Sequence, residues 1–313
     1  MKASIIVPTK DMESSIRSLL ESIFAQQYEP GFDVLVMDSS DDRTPQIAGE
    51  FPVKIVRVEP EDYNYGRTRN EGAALTTGDL LVFISADIEI KDPNWLSKLA
   101  RSFSDATVAG VYGRQIPFED AAPMDEFFIH YAYPSEGAVM SFDGGKVETP
   151  NMMIFSNVNS AVRRSVWEQI KIPEMLKSED CEWAKRVLLA GYKIVYDAEA
   201  AVHHSNSYTL KSMFREYFDA GTAMPVVSRE HLVDHSFKRF VSDGIVYVLN
   251  EYWFILRTGR WRWLPYAVLY DMSRLLGAFL GSRQKYLPLW LKRALCKKKN
   301  HWDRYLDVIS EPA

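Results

Sequence analysis

Cysteine is scarce. The chain has 313 residues and only Cys181 and Cys296, far apart in sequence. Two distant thiols make neither a disulfide framework nor a CxxC metal site, and they favour a reducing compartment. Long charge-free runs are also missing. No window of about 18 residues lacks a charge, so no conventional spanning helix is expected. The start, MKASIIVPTK, has one lysine and a short apolar run before Pro8, too short for a signal-peptide core. There is no GxxxxGKS or GxxxxGKT, and no GxGxxG after the first apolar run, which counts against a P-loop enzyme or a nicotinamide dehydrogenase. Internal repeats and low-complexity segments are absent.

What is there is globular: 47% hydrophobic and 25% charged residues, enough for one large domain with an appendage, or for two domains. The net charge of -5 hides an asymmetry. From Arg257 to Arg304, twelve Lys and Arg stand against Asp271 and Asp303, a local +10, leaving -15 on the rest. Such a split suggests that the tail meets an anionic surface.

The first half alternates apolar β-branched runs with helical spacing. Strands are expected at 3–7, 34–37, 53–58, 80–84 and 108–112. Helices are expected from Ile16 to Phe24, Pro45 to Glu50, Arg67 to Leu75, Asp92-Pro93 through Phe103, and Ser178 to Leu189. Asp92 reads as an N-cap and Pro93 as a first-turn proline. This alternation predicts an α/β fold, a mostly parallel sheet with helices on both faces.

In such a sheet, ligands bind beyond the carboxyl ends of the strands. Pro8-Thr9, Asp38-Ser39 and Ser85-Ala86-Asp87 each end an apolar run, so three polar punctuations would gather on one rim. Singly, each is a common turn sequence; together they point to a site. If a nucleoside diphosphate binds there, a divalent metal on Asp87 would neutralise it, helped by Arg67 and Arg69.

The segments SIIVPTKD, VLVMDSSDDRT, YGRTRNEGAALTTGDLLVFISAD and SEDCEWAKRVLLAGYKIVYDAEAAVHHS resemble, in this order, family 2 glycosyltransferases of the GT-A fold. Within that family they look like bacterial rhamnosyltransferases of cell-surface polysaccharide synthesis. The resemblance covers about residues 1–220. It implies that Pro8 and Thr9 border the base and ribose and that Asp38 contacts the nucleoside, with Ser40 and Asp42 nearby. It implies that Arg69 lies close to the donor, and that Asp87 matches the last carboxylate of the metal-binding DxD motif. Asp180 matches the catalytic base, and His204 a histidine that often completes the metal site. Ser85 stands where the family often has the first Asp of DxD, so Asp87, His204, the diphosphate and water would hold Mg²⁺ or Mn²⁺.

Inverting transfer needs one base for the acceptor hydroxyl and something to stabilise the departing diphosphate. Asp180 suits the first role. Ser178-Glu179-Asp180 also reads as the acidic first turn of a helix. Around it, Glu179, Trp183, Arg114, Gln115, Asn157 and Asn159 are candidates for the sugar or acceptor pocket. Trp183 reads equally as core, and the two asparagines equally as helix caps. His203 and His204 are not separable by sequence.

The tail, with Trp261, Trp263, Trp290, Lys297, Lys298 and Lys299, mixes aromatic rings and cations. That suits peripheral contact with an anionic cytoplasmic leaflet; a helical subdomain packed on the sheet, or an oligomer contact, remains the other reading. Nucleic acid is not expected as a partner, since the rest of the chain is acidic. The expected division is 1–225, a catalytic domain, and 226–313, a helical membrane-associating region. The expected activity is transfer of L-rhamnose from dTDP-rhamnose to a hydroxyl of a glycan or polyprenyl-linked acceptor. A UDP- or GDP-hexose donor, or a non-catalytic glycan-binding scaffold, are the alternatives.

Overall fold

The computed structural model of the chain describes residues 1–144, 155–227, 237–297 and 302. Lys298 and Lys299 lie outside the described residues. The chain forms two compact units. The first comprises Met1–Ala121, Phe128–Glu174 and Glu179–Ser205; the second comprises Ala122–Phe127, Met175–Ser178 and Asn206–Ala313.

The first unit is α/β. Its elements run β1 (Ala3–Thr9), α1 (Ile16–Phe24), β2 (Phe32–Asp38), α2 (Thr44–Ala48), β3 (Lys54–Arg57), α3 (Tyr65–Ala74), β4 (Leu80–Ile84), α4 (Trp95–Arg101) and β5 (Val108–Ile116). After α5 (Pro123–Ala132) come β6 (Ala138–Met140), β7 (Asn159–Arg163), α6 (Arg164–Gln169), α7 (Glu179–Leu189) and β8 (Lys193–His203). The strands make one sheet in the order β3-β2-β1-β4-β7-β5-β8-β6. The first four strands are mutually parallel, and β7 runs antiparallel between β4 and β5. The expected mostly parallel, GT-A-like sheet is therefore present, with β6 and β7 reversed.

Periodicity explains most of these elements. The helix α1 buries Ile16, Leu19, Leu20 and Ile23, an i, i+3, i+4, i+7 stripe against the sheet. The strand β4 is buried at every position, as a central strand covered on both faces must be. The N-cap of α3 is Asn64, whose Oδ1 accepts the N–H groups of Gly66 at 3.0 Å and Arg67 at 3.1 Å, satisfying two donors at the helix start. Several boundaries shift by a few residues from expectation, and one changes a residue's role: α4 begins at Trp95. Asp92 Oδ1 accepts the N–H of Asn94 at 2.8 Å and its Oδ2 takes Lys98 at 2.7 Å, so Asp92 closes a turn before the helix instead of capping it.

The second unit is helical: α8 (Leu210–Val227), α9 (Phe237–Arg257), α10 (Leu264–Ser282) and α11 (Leu289–Leu295). Its interior holds apolar clusters around Met213, Ile255 and Ala267 and around Phe218 and Trp302, with a polar cluster beside them. Arg274 lies between Glu251 and Asp271 and beneath the rings of Tyr217, Tyr247 and Tyr270. Tyr270 donates to Asp125. Burial pushes the Asp125 carboxyl up to about 6. It pushes Glu251 up to about 8, against the pull of Arg274.

The close crossing of α8 and α10 depends on glycine. A Cβ on Gly281 would stand 2.1 Å from the Phe218 carbonyl oxygen, and one on Gly277 would stand 2.3 Å from that of Phe214. Gly281→Ala should therefore force the helices apart, at a cost of about 1–3 kcal/mol as for overpacking elsewhere. A melting temperature equal to the parent's would show that the crossing tolerates a methyl group.

Candidate active site

The parallel strands deliver their carboxyl ends to one rim. Thr9 and Asp38 are register partners at the ends of β1 and β2, and the Thr9 hydroxyl donates to Asp38 Oδ1 at 2.8 Å. Arg57, at the end of β3, lies 3.4 Å from Asp38 Oδ2 and donates to the Ser40 carbonyl. Ser40 Oγ in turn accepts the N–H of Asp11 at 2.8 Å. Asp42 accepts the N–H groups of Thr44 and Glu13, tying together the loops after β1 and β2. Asp38, Ser40 and Asp42 thus build the wall of the rim.

In front of that wall is an open cleft. It is lined by Pro8, Thr9, Arg69, Ser85, Ala86 and Asp87, all expected from sequence. Tyr63 and Tyr65 also line it, their rings edge to face with centroids 5.5 Å apart. Sequence reasoning passed over them and over Arg57. The signal was available: two aromatics two positions apart, at the start of the helix that carries Arg69. Arg67 is elsewhere, paired with Glu174 at 3.0 Å, and does not line the cleft.

Arg69 and Glu179 form a buried ion pair, 2.9 Å between Nη1 and Oε1, with side chains 7% and 6% exposed. The pair ties α3 to α7. Arg69 Nε is buried with no hydrogen-bond partner among the described residues.

Beside Glu179 stands Asp180. Three acids open α7, and their surroundings separate them. Glu179 meets Arg69. Glu182 meets Lys185 at 2.8 Å and Arg186 at 2.9 Å. Asp180 instead accepts two backbone N–H groups, Cys181 on Oδ1 at 2.9 Å and Asn157 on Oδ2 at 3.1 Å. A carboxylate oxygen has two acceptor sites, so each oxygen keeps one after these bonds. Among the described residues, Asp180 is the acid of this turn that is oriented without a neutralising cation.

Asp87, in the cleft lining, has His204 beside it. His204 Nε2 lies 3.6 Å from Asp87 Oδ2, beyond hydrogen-bond length. Two ligands each roughly 2.1 Å from one cation would be separated by roughly 3 to 4 Å. His204 Nδ1 is 2.7 Å from Gln115 Oε1. An amide oxygen only accepts, so this contact puts a proton on Nδ1 and, in the neutral ring, leaves Nε2, 3.6 Å from Asp87, as the acceptor nitrogen. Metal-binding histidines are oriented in this way by a second layer of acceptors. The donor set therefore fits a divalent cation that takes two protein ligands and completes its shell from substrate and water. No group of three His, Cys, Asp or Glu suited to a metal occurs among the described residues. His203 faces elsewhere, stacked on Phe118, and burial followed by nearby Lys91 lowers its pKa.

Gln115 also donates to Ser156 Oγ at 3.3 Å, and Ser156 precedes the Asn157 whose N–H holds Asp180. A chain of contacts thus runs from Asp87 to Asp180. Gln115 is 4% exposed and serves His204, in place of the sugar contact expected from sequence. Asn159 is also redirected. Its Oδ1 accepts the Trp95 indole N–H at 2.9 Å and its Nδ2 donates to the Ala200 carbonyl at 2.8 Å, so it joins α4 to the sheet. Trp183 is buried against Phe155 and donates to the Ile170 carbonyl at 2.9 Å; it is core. Asn157 Oδ1 accepts the Ser160 hydroxyl, while its Nδ2 and the Arg114 Nε are buried without a partner among the described residues.

Residues 4–171 match the family described as glycosyl transferase family 2. The chain belongs to this family and is a glycosyltransferase. It is 31% identical over 310 residues to the O-antigen chain rhamnosyltransferase RfbN of Salmonella typhimurium, covering 97% of this chain and 96% of the other. It is 32% identical over 307 residues to the O-antigen chain rhamnosyltransferase WbaN of Salmonella anatum, covering 96% and 95%. Among solved structures, the mannosyltransferase PcManGT from Pyrobaculum calidifontis, in complex with GDP-Man and Mn²⁺, superposes with a TM-score of 0.62 at 18% identity, over 90% of this chain and 87% of that one. That likeness carries the fold of this glycosyltransferase.

If Gln115 sets the His204 tautomer, nitrogen NMR of labelled histidine should find His204 with its proton on Nδ1. Gln115→Ala should move the population towards Nε2–H, the form preferred by a neutral histidine side chain in water. The same spectrum for parent and variant would remove Gln115 from this role.

Proposed function

We propose that this glycosyltransferase inverts the anomeric centre as it moves L-rhamnose from dTDP-L-rhamnose to a hydroxyl of a glycan or polyprenyl-linked acceptor, in cell-surface polysaccharide synthesis. The observation that carries the donor and the pathway is the nearly full-length similarity to two O-antigen rhamnosyltransferases. The work is divided in this reading between a catalytic domain at 1–225 and a membrane-associating region at 226–313. The protein acts at the cytoplasmic face of the membrane, in peripheral contact with anionic lipid.

In this mechanism, the nucleoside diphosphate occupies the cleft at the ends of β1, β2 and β4. Pro8, Thr9, Tyr63 and Tyr65 border it, and Asp38 and Ser40 stiffen its wall. Asp87 and His204 would hold Mg²⁺ or Mn²⁺, which supplies positive charge to the departing diphosphate. The buried, unpartnered Arg69 Nε is a guanidinium donor suited to a phosphate oxygen. The acceptor oxygen attacks the anomeric carbon, the bond from that carbon to the diphosphate oxygen breaks, and the acceptor proton passes to Asp180. The electron pair of the broken bond leaves with the nucleoside diphosphate. A single base suffices for this displacement, and a second catalytic carboxylate has no task. Glu179 and Glu182, each matched to a cation, act in positioning.

Asp180→Asn keeps the size of the side chain and removes the proton acceptor. It should lower kcat by about 10²–10⁴-fold and leave donor affinity by calorimetry close to the parent value. Turnover within a few-fold of the parent would rule Asp180 out as the base.

A further inference from the structure

The outer faces of α9 and α10 invert the usual order. A helix on a water-soluble protein turns its apolar stripe inward and its polar face outward. Here the inner faces carry charge among apolar residues: α9 buries Glu251 beside Tyr247 and Ile255, and α10 buries Asp271 beside Ala267 and Tyr270, with the Arg274 side chain 11% exposed. On the other side, α9 exposes Ile245, Leu249, Trp253 and Leu256, with Leu249 61% and Trp253 64% exposed. These positions follow one another by four, four and three residues, a single stripe. On α10, Val268, Met272, Leu275, Leu276 and Phe279 are exposed at the same helical spacing. The two helices pack against each other within the helical unit. An apolar area of this kind is larger than scattered surface residues and calls for a partner.

The charges identify the partner. Between residues 244 and 297 the chain has two carboxylates, Glu251 and Asp271, and both are buried. Arg257, Arg262, Arg283, Lys285 and Arg293 are exposed. So are Trp261, Trp263, Tyr286 and Trp290, residues that suit the boundary between lipid and water. A second copy meeting this face about a two-fold axis would set the same patch against itself and bring cations onto cations. No described helix is long and apolar enough to cross a membrane, so these helices suit the plane of an interface.

We propose that the outward faces of α9 and α10 seat on an anionic lipid bilayer, their apolar stripes entering the interface while the flanking arginines and lysines meet the headgroups. Arg274 pairs with Glu251 and Asp271 inside the unit, so between residues 244 and 297 no carboxylate stands on the outer face. The inference deepens the peripheral reading above and rests on it. Lipid binding is read without a transfer assay, so its failure would leave the transferase reading standing.

The test uses the full chain with vesicles of phosphatidylcholine, alone or with one quarter phosphatidylglycerol. The protein should float with the anionic vesicles and much less with the neutral ones. Leu249→Glu with Met272→Glu changes only exposed positions. It should weaken partition at least about tenfold, because apolar burial and charge attraction are both lost. The rise in melting temperature produced by a nucleotide-sugar donor should stay at the parent value, which verifies that the variant is folded. Failure of the parent to float with anionic vesicles would overturn the proposal. So would light scattering that finds a dimer without lipid, dissociated by the same pair of substitutions, since that gives the face to a second copy.

Discussion

The ion pair between Arg69 and Glu179 is the constraint on which the site depends. Both side chains are buried, so neither charge can be left alone; breaking such a pair typically costs about 3–5 kcal/mol. The pair fixes α3, which borders the cleft, to the first turn of α7, where Asp180 follows Glu179. It also draws Glu179 away from chemistry. An acidic first turn favours a helix start for electrostatic reasons alone, and three acids there would be an ambiguous signal. Pairing two of them with cations leaves one carboxylate held by backbone N–H groups, in a fixed orientation and with acceptor capacity remaining.

A second connection runs through the sheet. Asp87, His204, Gln115 and Ser156 come from the end of β4, the segment after β8, the end of β5 and the turn before β7. Their contacts lead to Asn157 and so to Asp180. The antiparallel strand β7, placed between β4 and β5, brings that turn alongside the rim built by the parallel strands. Positioning of this kind is worth much of a displacement barrier when the reacting groups are held close to their productive geometry. The residues around Asp180 act by holding it, and the chemistry asks for one proton acceptor.

The rim was legible in the sequence because apolar strand runs end abruptly at Pro8, Asp38 and Ser85, and strand ends are where an α/β sheet binds its ligands. The family motifs then supplied Asp87, Asp180 and His204. What sequence could not assign was direction. Asn159, Gln115 and Trp183 sit at plausible positions, yet their partners are Trp95, His204 and Phe155, residues up to 89 positions away. Periodicity gives a face and no partner. The same limit hid the arrangement of the helical unit: aromatic rings and cations set the tail apart in sequence, but only the structure shows Glu251 and Asp271 turned inward onto Arg274.

The central claim is a single displacement at the anomeric carbon, served by one base and no enzyme nucleophile. Its most direct measurement is the configuration of the first product. With dTDP-L-rhamnose as donor and water as a slow acceptor, proton NMR can read the released sugar before it mutarotates. The account predicts an initial anomer opposite in configuration to the donor, equilibrating afterwards. An initial anomer of the same configuration would contradict it, because retention requires a second displacement or a front-face route that Asp180, acting as a base, does not provide.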